Sequence, residues 1–159
     1  MSQTVQQVDQ NALKTGQALT ILLLLVAFVL NLWVIVAFVA IAQLLAAFAS
    51  PHTAHVYAPY QLFYQRVVLP TGRIKPNRIP DHPEPHRFAS LIGGIVNGIA
   101  VLALLAGAAA VGWGLVWLVI ALANLNFWLD FCLGCWLYYQ LSVRGVKGFT
   151  QRPIEPIQS

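Results

Sequence analysis

The stretch "ALTILLLLVAFVLNLWVIVAFVAIAQLLAAFA", Ala18 to Ala49, has no charged side chain in 32 residues, and Phe88 to Leu129 has none in 42. A helix of about 20 apolar residues, each rising about 1.5 Å, is enough to cross a bilayer. The second run therefore holds two spans. The first, with Thr15 to Gln17 as a polar flank, is long enough for two as well. Asn31 is a turn residue between two oily halves, and Gly107 with Gly112-Trp113-Gly114 divides the second run. One unbroken helix over the first run would measure about 48 Å against a hydrocarbon core of about 30 Å, so a break is the better reading. The sequence predicts an all-α membrane protein forming a single transmembrane domain over 1–159. Its four transmembrane helices fall at about 14–30, 33–50, 88–109 and 113–142, as two hairpins.

Composition agrees. Hydrophobic residues make up 58% of the chain and charged residues 9%, whereas an average soluble domain carries roughly 25% charged residues. A cleaved signal peptide is not expected, because a polar tail with Asp9 precedes the first run and the run is too long for an h-region.

The basic residues assign a side. Lys14 lies at the first edge; Arg66, Arg73, Lys75, Arg78 and Arg87 lie in the middle segment; Arg144, Lys147 and Arg152 lie in the tail. With four spans these segments share one side, and neither hairpin tip carries a charge. Excess Lys and Arg mark the cytoplasmic side. The expectation is a multi-pass protein of the bacterial cytoplasmic (inner) membrane, with both termini and the 51–87 loop cytoplasmic. The net charge of +4 then reflects topology and attraction to the anionic head groups of the lipid bilayer. It is not a nucleic-acid surface, since no dense basic patch is present.

The 51–87 loop contains seven of the nine prolines, which block helix continuation and favour extended chain. "PYQLFYQRVVLP" is the exception. Pro59 suits a first helical turn, and Tyr60, Phe63, Tyr64 and Val67 share a face, so a short interfacial helix is expected there. All four histidines, His52, His55, His82 and His86, lie in or beside this loop. Their spacings suit a metal on a helix, but zinc needs further ligands and supporting contacts. Beside so many prolines they read as interfacial polar residues, and no metal is expected.

Chemistry concentrates in "LDFCLGCWLYYQL", residues 129 to 141. Trp113 and Trp117 suit the outer aromatic belt, and Trp136, Tyr138 and Tyr139 the inner one. Counting about 20 residues from Gly114 places Cys132 and Cys135 near the cytoplasmic boundary. A structural disulfide is disfavoured in the cytosol, and bridging positions i and i+3 within a continuous helix strains the geometry. Such a pair can instead cycle between dithiol and disulfide, or carry a persulfide. Cysteine is also a common buried residue, so the spacing alone is a weak signal. Asp130 is the one acid within a predicted span. It reads either as a protonated or Asn-bonded interhelical contact, with Asn97, Asn124, Asn126 and Gln43 as further polar residues, or as a proton handle beside the thiols. Gly94-x-x-x-Gly98 allows close helix approach, within the bundle or in a dimer.

Three stretches carry a family resemblance: "VDQNALKTGQALTILLLL" (Val8 to Leu25), "PYQLFYQRVVLP" followed by "PHRFAS" (Pro85 to Ser90), and "FCLGCWLY" (Phe131 to Tyr138). Over about residues 8–142 the chain resembles a bacterial family of small integral membrane proteins known as a domain of unknown function. Asp9, Asn11, Gln17, Arg87, Phe88, Cys132, Gly134 and Cys135 match its motif, and Asp130 lies outside it. The resemblance implies that the cysteine pair matters without naming a reaction. It also implies that Asp9, Asn11, Gln17, Arg87 and the cysteines lie on one membrane face. There Arg87 would favour a thiolate or hold a small anion.

The function expected from these residues is thiol-redox or sulfur handling with a soluble thiol carrier. Cys132 and Cys135 form the exchanging pair, Asp130 is their catalytic neighbour, and Arg87, Asn11 and Gln17 are binding residues. The alternative is a non-catalytic accessory subunit that docks on a larger membrane complex through the Pro/His loop, or a homo-oligomer. A small transporter would need to oligomerise. No Walker loop, dinucleotide fingerprint or Ser/His/Asp signature is present, and no attachment motif supports haem at His52 or His55. No cofactor is therefore expected.

Overall fold

The computed structural model describes residues 6–48, 63, 66–67, 70, 78–81, 83–129 and 131–146. Among them are a short strand β1 (Gln6–Asp9), helices α1 (Gln10–Val29) and α2 (Trp33–Phe48), strand β2 (Arg78–Asp81), and helices α3 (Pro83–Leu105), α4 (Ala109–Leu129) and α5 (Leu133–Val143). The expected interfacial helix and most of the 51–87 loop, including His52, His55 and His82, lie outside the described residues, as does Asp130.

Two turns shape the bundle by the same device. Asn31, at φ 51°, and Gly107, at φ 83°, occupy the left-handed region after α1 and α3. After α1, the Leu32 amide reaches back to the Ala27 carbonyl at 2.9 Å and the Asn31 amide to Phe28 at 3.2 Å. After α3, Ala108 reaches Ala103 at 2.9 Å and Gly107 reaches Leu104 at 3.1 Å. This pairing satisfies carbonyls that a helix end would otherwise leave bare, and it requires a residue that tolerates positive φ.

The helices close a ring: α1 packs on α2, α2 on α3, α3 on α4 and α4 on α1, while α5 packs on α3. Leu24, Ala27, Val36, Val39, Ala100, Val116, Val119 and Ile120 fill the centre. Small residues let the helices approach. A Cβ on Gly94 would stand 2.8 Å from Leu44 Cγ of α2, and one on Gly112 would stand 3.0 Å from the Ala100 carbonyl of α3. A Cβ on Gly98, the second glycine of the expected close-approach pair, would meet no atom within 4 Å, so among the described residues Gly94 is the member of the pair that serves close packing. Asn97 is fully buried in this layer, and its Nδ2 donates to Gln43 Oε1 of α2 at 2.9 Å.

The outward faces are apolar as well. Val29 and Trp128 are 77% and 75% exposed, a surface that suits hydrocarbon rather than water. Three helical stretches, Asn11–Val29, Glu84–Leu105 and Ala109–Leu129, are long and apolar enough to cross a membrane, and Trp33–Phe48 is apolar but shorter.

Three features depart from the expected outline. The third helix starts at Pro83 instead of residue 88, because Pro83 and Pro85 occupy a first turn whose amides need no helical partner. The last stretch is not one helix over 113–142: α4 ends at Leu129 and α5 begins at Leu133. Finally, β1 pairs with β2 antiparallel, Gln6 opposite Asp81 and Asp9 opposite Arg78. This brings the starts of α1 and α3 together.

Candidate functional site

The break before α5 sets the environment of the cysteines. Cys132 is extended, at φ −87° and ψ 101°, and is the N-cap of α5. Its sulfur accepts from the Cys135 amide at 3.3 Å, the position at which an N-cap side chain satisfies a free helix amide. Cys135 lies in the first turn with a Cα–Cα separation of 5.2 Å from Cys132, and the two sulfurs are joined as a disulfide. The bridge is not one within a continuous helix, because Cys132 stands outside α5 as its N-cap. The helix N-terminus also carries a positive end-charge that stabilises a thiolate.

The other wall is the start of α3, and the two helices run antiparallel along a seam of four contacts. Tyr138 Oη donates to Glu84 Oε2 at 2.8 Å. The Phe88 and Tyr138 rings meet edge-on with centroids 5.8 Å apart. His86 Nδ1 lies 3.6 Å from Cys135 Sγ. At the fourth contact, a Cβ on Gly134 would stand 2.6 Å from Ala89 Cβ and 2.7 Å from its Cα. Position 134, the second of the two residues between the cysteines, must therefore be glycine if α5 is to lie this close. Cys135 is 8% exposed and Cys132 is half-buried, so Cys132 is the more exposed residue of the two.

Of the residues proposed from sequence, the structure joins Cys132 to Cys135. Arg87 follows His86 on α3, and its Nε donates to the Ala47 carbonyl in the last turn of α2 at 2.9 Å. A cation there satisfies a bare carbonyl and opposes the negative end of the helix dipole. Asn11 and Gln17 lie on α1, whose main packing is with α2 and α4. The Gln17 Oε1 atom is buried and has no hydrogen-bond partner among the described residues. Asp9 lies in β1.

Sequence reasoning missed His86 as the partner of the sulfurs. It stands 49 positions before Cys135, and no periodicity links two such distant positions. Its signals in the sequence were the His82-x-x-x-His86 spacing and its place in the "PHRFAS" stretch, and neither points to the cysteines.

The sequence profile of a domain of unknown function, DUF4395, matches residues 8–142. No curated protein and no solved structure matches the chain.

Proposed function

Since the chain belongs to the DUF4395 family, we propose that its members with this site act as membrane-embedded thiol–disulfide exchangers with Cys132 and Cys135 as the reacting pair. The observation that carries the reading is the placement of the two sulfurs at the N-terminus of α5 against the start of α3. The paired cysteines alone do not carry it.

The exchange balances without an external oxidant. In the dithiol form the sulfur of Cys132, the more exposed residue, attacks a disulfide of a soluble carrier, whose S–S bond breaks and releases one carrier thiolate. Cys135 then attacks the Cys132 sulfur of the mixed disulfide. That bond breaks, the second carrier thiolate leaves, and the Cys132–Cys135 bond forms. Two electrons pass to the carrier, and the two protons lost by the cysteines go to its thiolates through water. The reverse sequence oxidises a carrier dithiol. Asp130, directly before the motif, is assigned as a proton relay, and Arg87, Asn11 and Gln17 as groups that bind the carrier.

Four spans in the bacterial inner membrane suit this chemistry. Because β1 leads into α1, β2 precedes α3, and the two strands pair, α1 and α3 start at the same end. A chain that crosses in α1 must then return in α2. The 16 helical residues of α2 rise about 24 Å, and local thinning of the bilayer accommodates the shortfall. The Lys and Arg residues put that end in the cytoplasm with both termini. The cytosol reduces ordinary disulfides, which suits a bond made and broken in turnover.

Cys135→Ser tests this. The variant is expected to retain Cys132 in a reductant-sensitive mixed disulfide with its carrier. Differential alkylation of intact cells and lysate is expected to find both thiols only on the cytoplasmic side. If no adduct forms and Cys132→Ser and Cys135→Ser leave growth under thiol stress unchanged, the exchange reading fails. A second reading, a non-catalytic subunit of a larger complex or a homo-oligomer, draws on the outward face around Gly98, where Ile95, Ile99 and Leu102 are exposed. Release of the protein from a large complex on deletion of residues 70–85 would favour it.

A further inference from the structure

Exchange between two thiols needs no histidine, yet His86 completes a donor set with them. The sulfurs of Cys132 and Cys135 and a ring nitrogen of His86 all lie within 4.8 Å of one another. Cys135 Sγ and His86 Nδ1 are 3.6 Å apart. Around a tetrahedral zinc ion, Zn–S of about 2.3 Å and Zn–N of about 2.0–2.1 Å also give a sulfur–nitrogen edge of about 3.6 Å. We propose that, once the Cys132–Cys135 bond is reduced, the two sulfurs and His86 hold one zinc(II) ion, with a fourth position left for an exogenous ligand.

The donor set selects the ion. Two thiolates and an imidazole favour zinc and other thiophilic metals over magnesium or calcium, which prefer oxygen. Two cysteines separated by two residues at the start of a helix present both sulfurs to one point, a spacing common in zinc sites. The Cys135 amide, 3.3 Å from Cys132 Sγ, supplies a supporting hydrogen bond to a metal-bound sulfur. His86 is held toward the pair from both sides. Tyr138 and Glu84 tie α5 to the start of α3, and Arg87 ties the same turn to α2. Breaking the disulfide lets the two sulfurs separate to the edge of a tetrahedral site, and the Cys132 sulfur, within 4.8 Å of the other donors, must also settle against His86. A soluble dithiol reduces the bond and itself becomes a disulfide; zinc then displaces the two thiol protons. In this state the metal shields the pair from exchange, but its binding does not depend on exchange taking place.

The test uses the full chain in detergent micelles, reduced with a phosphine that is then removed, and cobalt(II) as the spectroscopic probe. The expected result is one cobalt per chain, with thiolate-to-cobalt charge-transfer absorption and the intense visible bands of a tetrahedral site. Both should vanish when zinc is added, and the oxidised protein should show neither. His86→Ala is expected to weaken binding by at least about tenfold, and Cys135→Ser to remove most of the charge-transfer absorption. Cys132→Ser retains a capping oxygen, so α5 should still form, and circular dichroism separates a lost ligand from a lost fold. No charge-transfer band in the reduced protein, or equal affinity in folded His86→Ala, overturns the proposal. A small aromatic disulfide, applied to the same preparations, keeps the two ideas apart. Cobalt binding without exchange leaves this site standing and removes the exchange reading; exchange without cobalt binding does the reverse.

Discussion

Helix α3 receives a glycine from α4 and another from α5, and the two contacts do different work. At Gly112 the space where a Cβ would stand is taken by Leu104 and the Ala100 carbonyl, among the apolar residues of the bundle centre, with Val116 a turn further along α4. At Gly134 it is taken by Ala89, and the cysteines stand immediately around it. Close approach in the bundle improves packing that many apolar side chains share. Close approach at the seam brings His86, Cys132 and Cys135 within reach of one another. The bundle therefore sets how firmly the protein holds together, and the seam sets how the two sulfurs and His86 are aligned.

Substitutions can break or sharpen that contrast. The largest effect is expected from Gly134→Val, whose Cβ meets the Ala89 backbone carbon at 2.7 Å and must displace α5. A cost of about 1–3 kcal/mol should come with loss of the disulfide, read from the thermal midpoint in micelles and from thiol alkylation. If both are unchanged, the seam is not the constraint described here. Gly112→Ala should cost a comparable or smaller amount, about 1–2 kcal/mol, and leave the alkylation pattern as in the parent. An altered cysteine state in that variant would erase the distinction between the two contacts. Tyr138→Phe removes the bond to Glu84 and should cost about 1 kcal/mol. It should also slow exchange by more than the stability loss explains, as measured with a small disulfide on folded protein. The smallest effect is expected at Gly98, where an added Cβ would meet no atom of the described residues within 4 Å. Gly98→Ala should raise helix stability by about 0.4–1 kcal/mol and leave exchange unchanged.

The parts that sequence made legible are those governed by local rules. Uncharged runs mark stretches that must leave water, and both Asn31 and Gly107 turned where a backbone at positive φ was needed. What escaped depends on distant pairing or on competition between signals. Oily residues continue through "NFWLDFCLGCWL" without proline, so apolar patterning carries no mark of the break between Leu129 and Leu133. The strands "QQVD" and "RIPD" are short and polar, with Pro80 in the second, and they pair across the length of two helices. Pro83 and Pro85 read as loop because proline usually stops a helix, although it is tolerated in a first turn. At the site, the nearness of the two sulfurs to each other could be read from their spacing. The nearness of His86 depends on how α5 lies against α3, which no short window of sequence contains.

The sulfur of Cys132 both closes the disulfide and receives the amide of Cys135, the third residue of α5. Any change in its bonding alters the anchor of that helix, so the Cys135 amide becomes a natural witness. Its rate of deuterium uptake should differ between oxidised, reduced and metal-loaded protein, and would let the state of the pair be followed without labelling either sulfur.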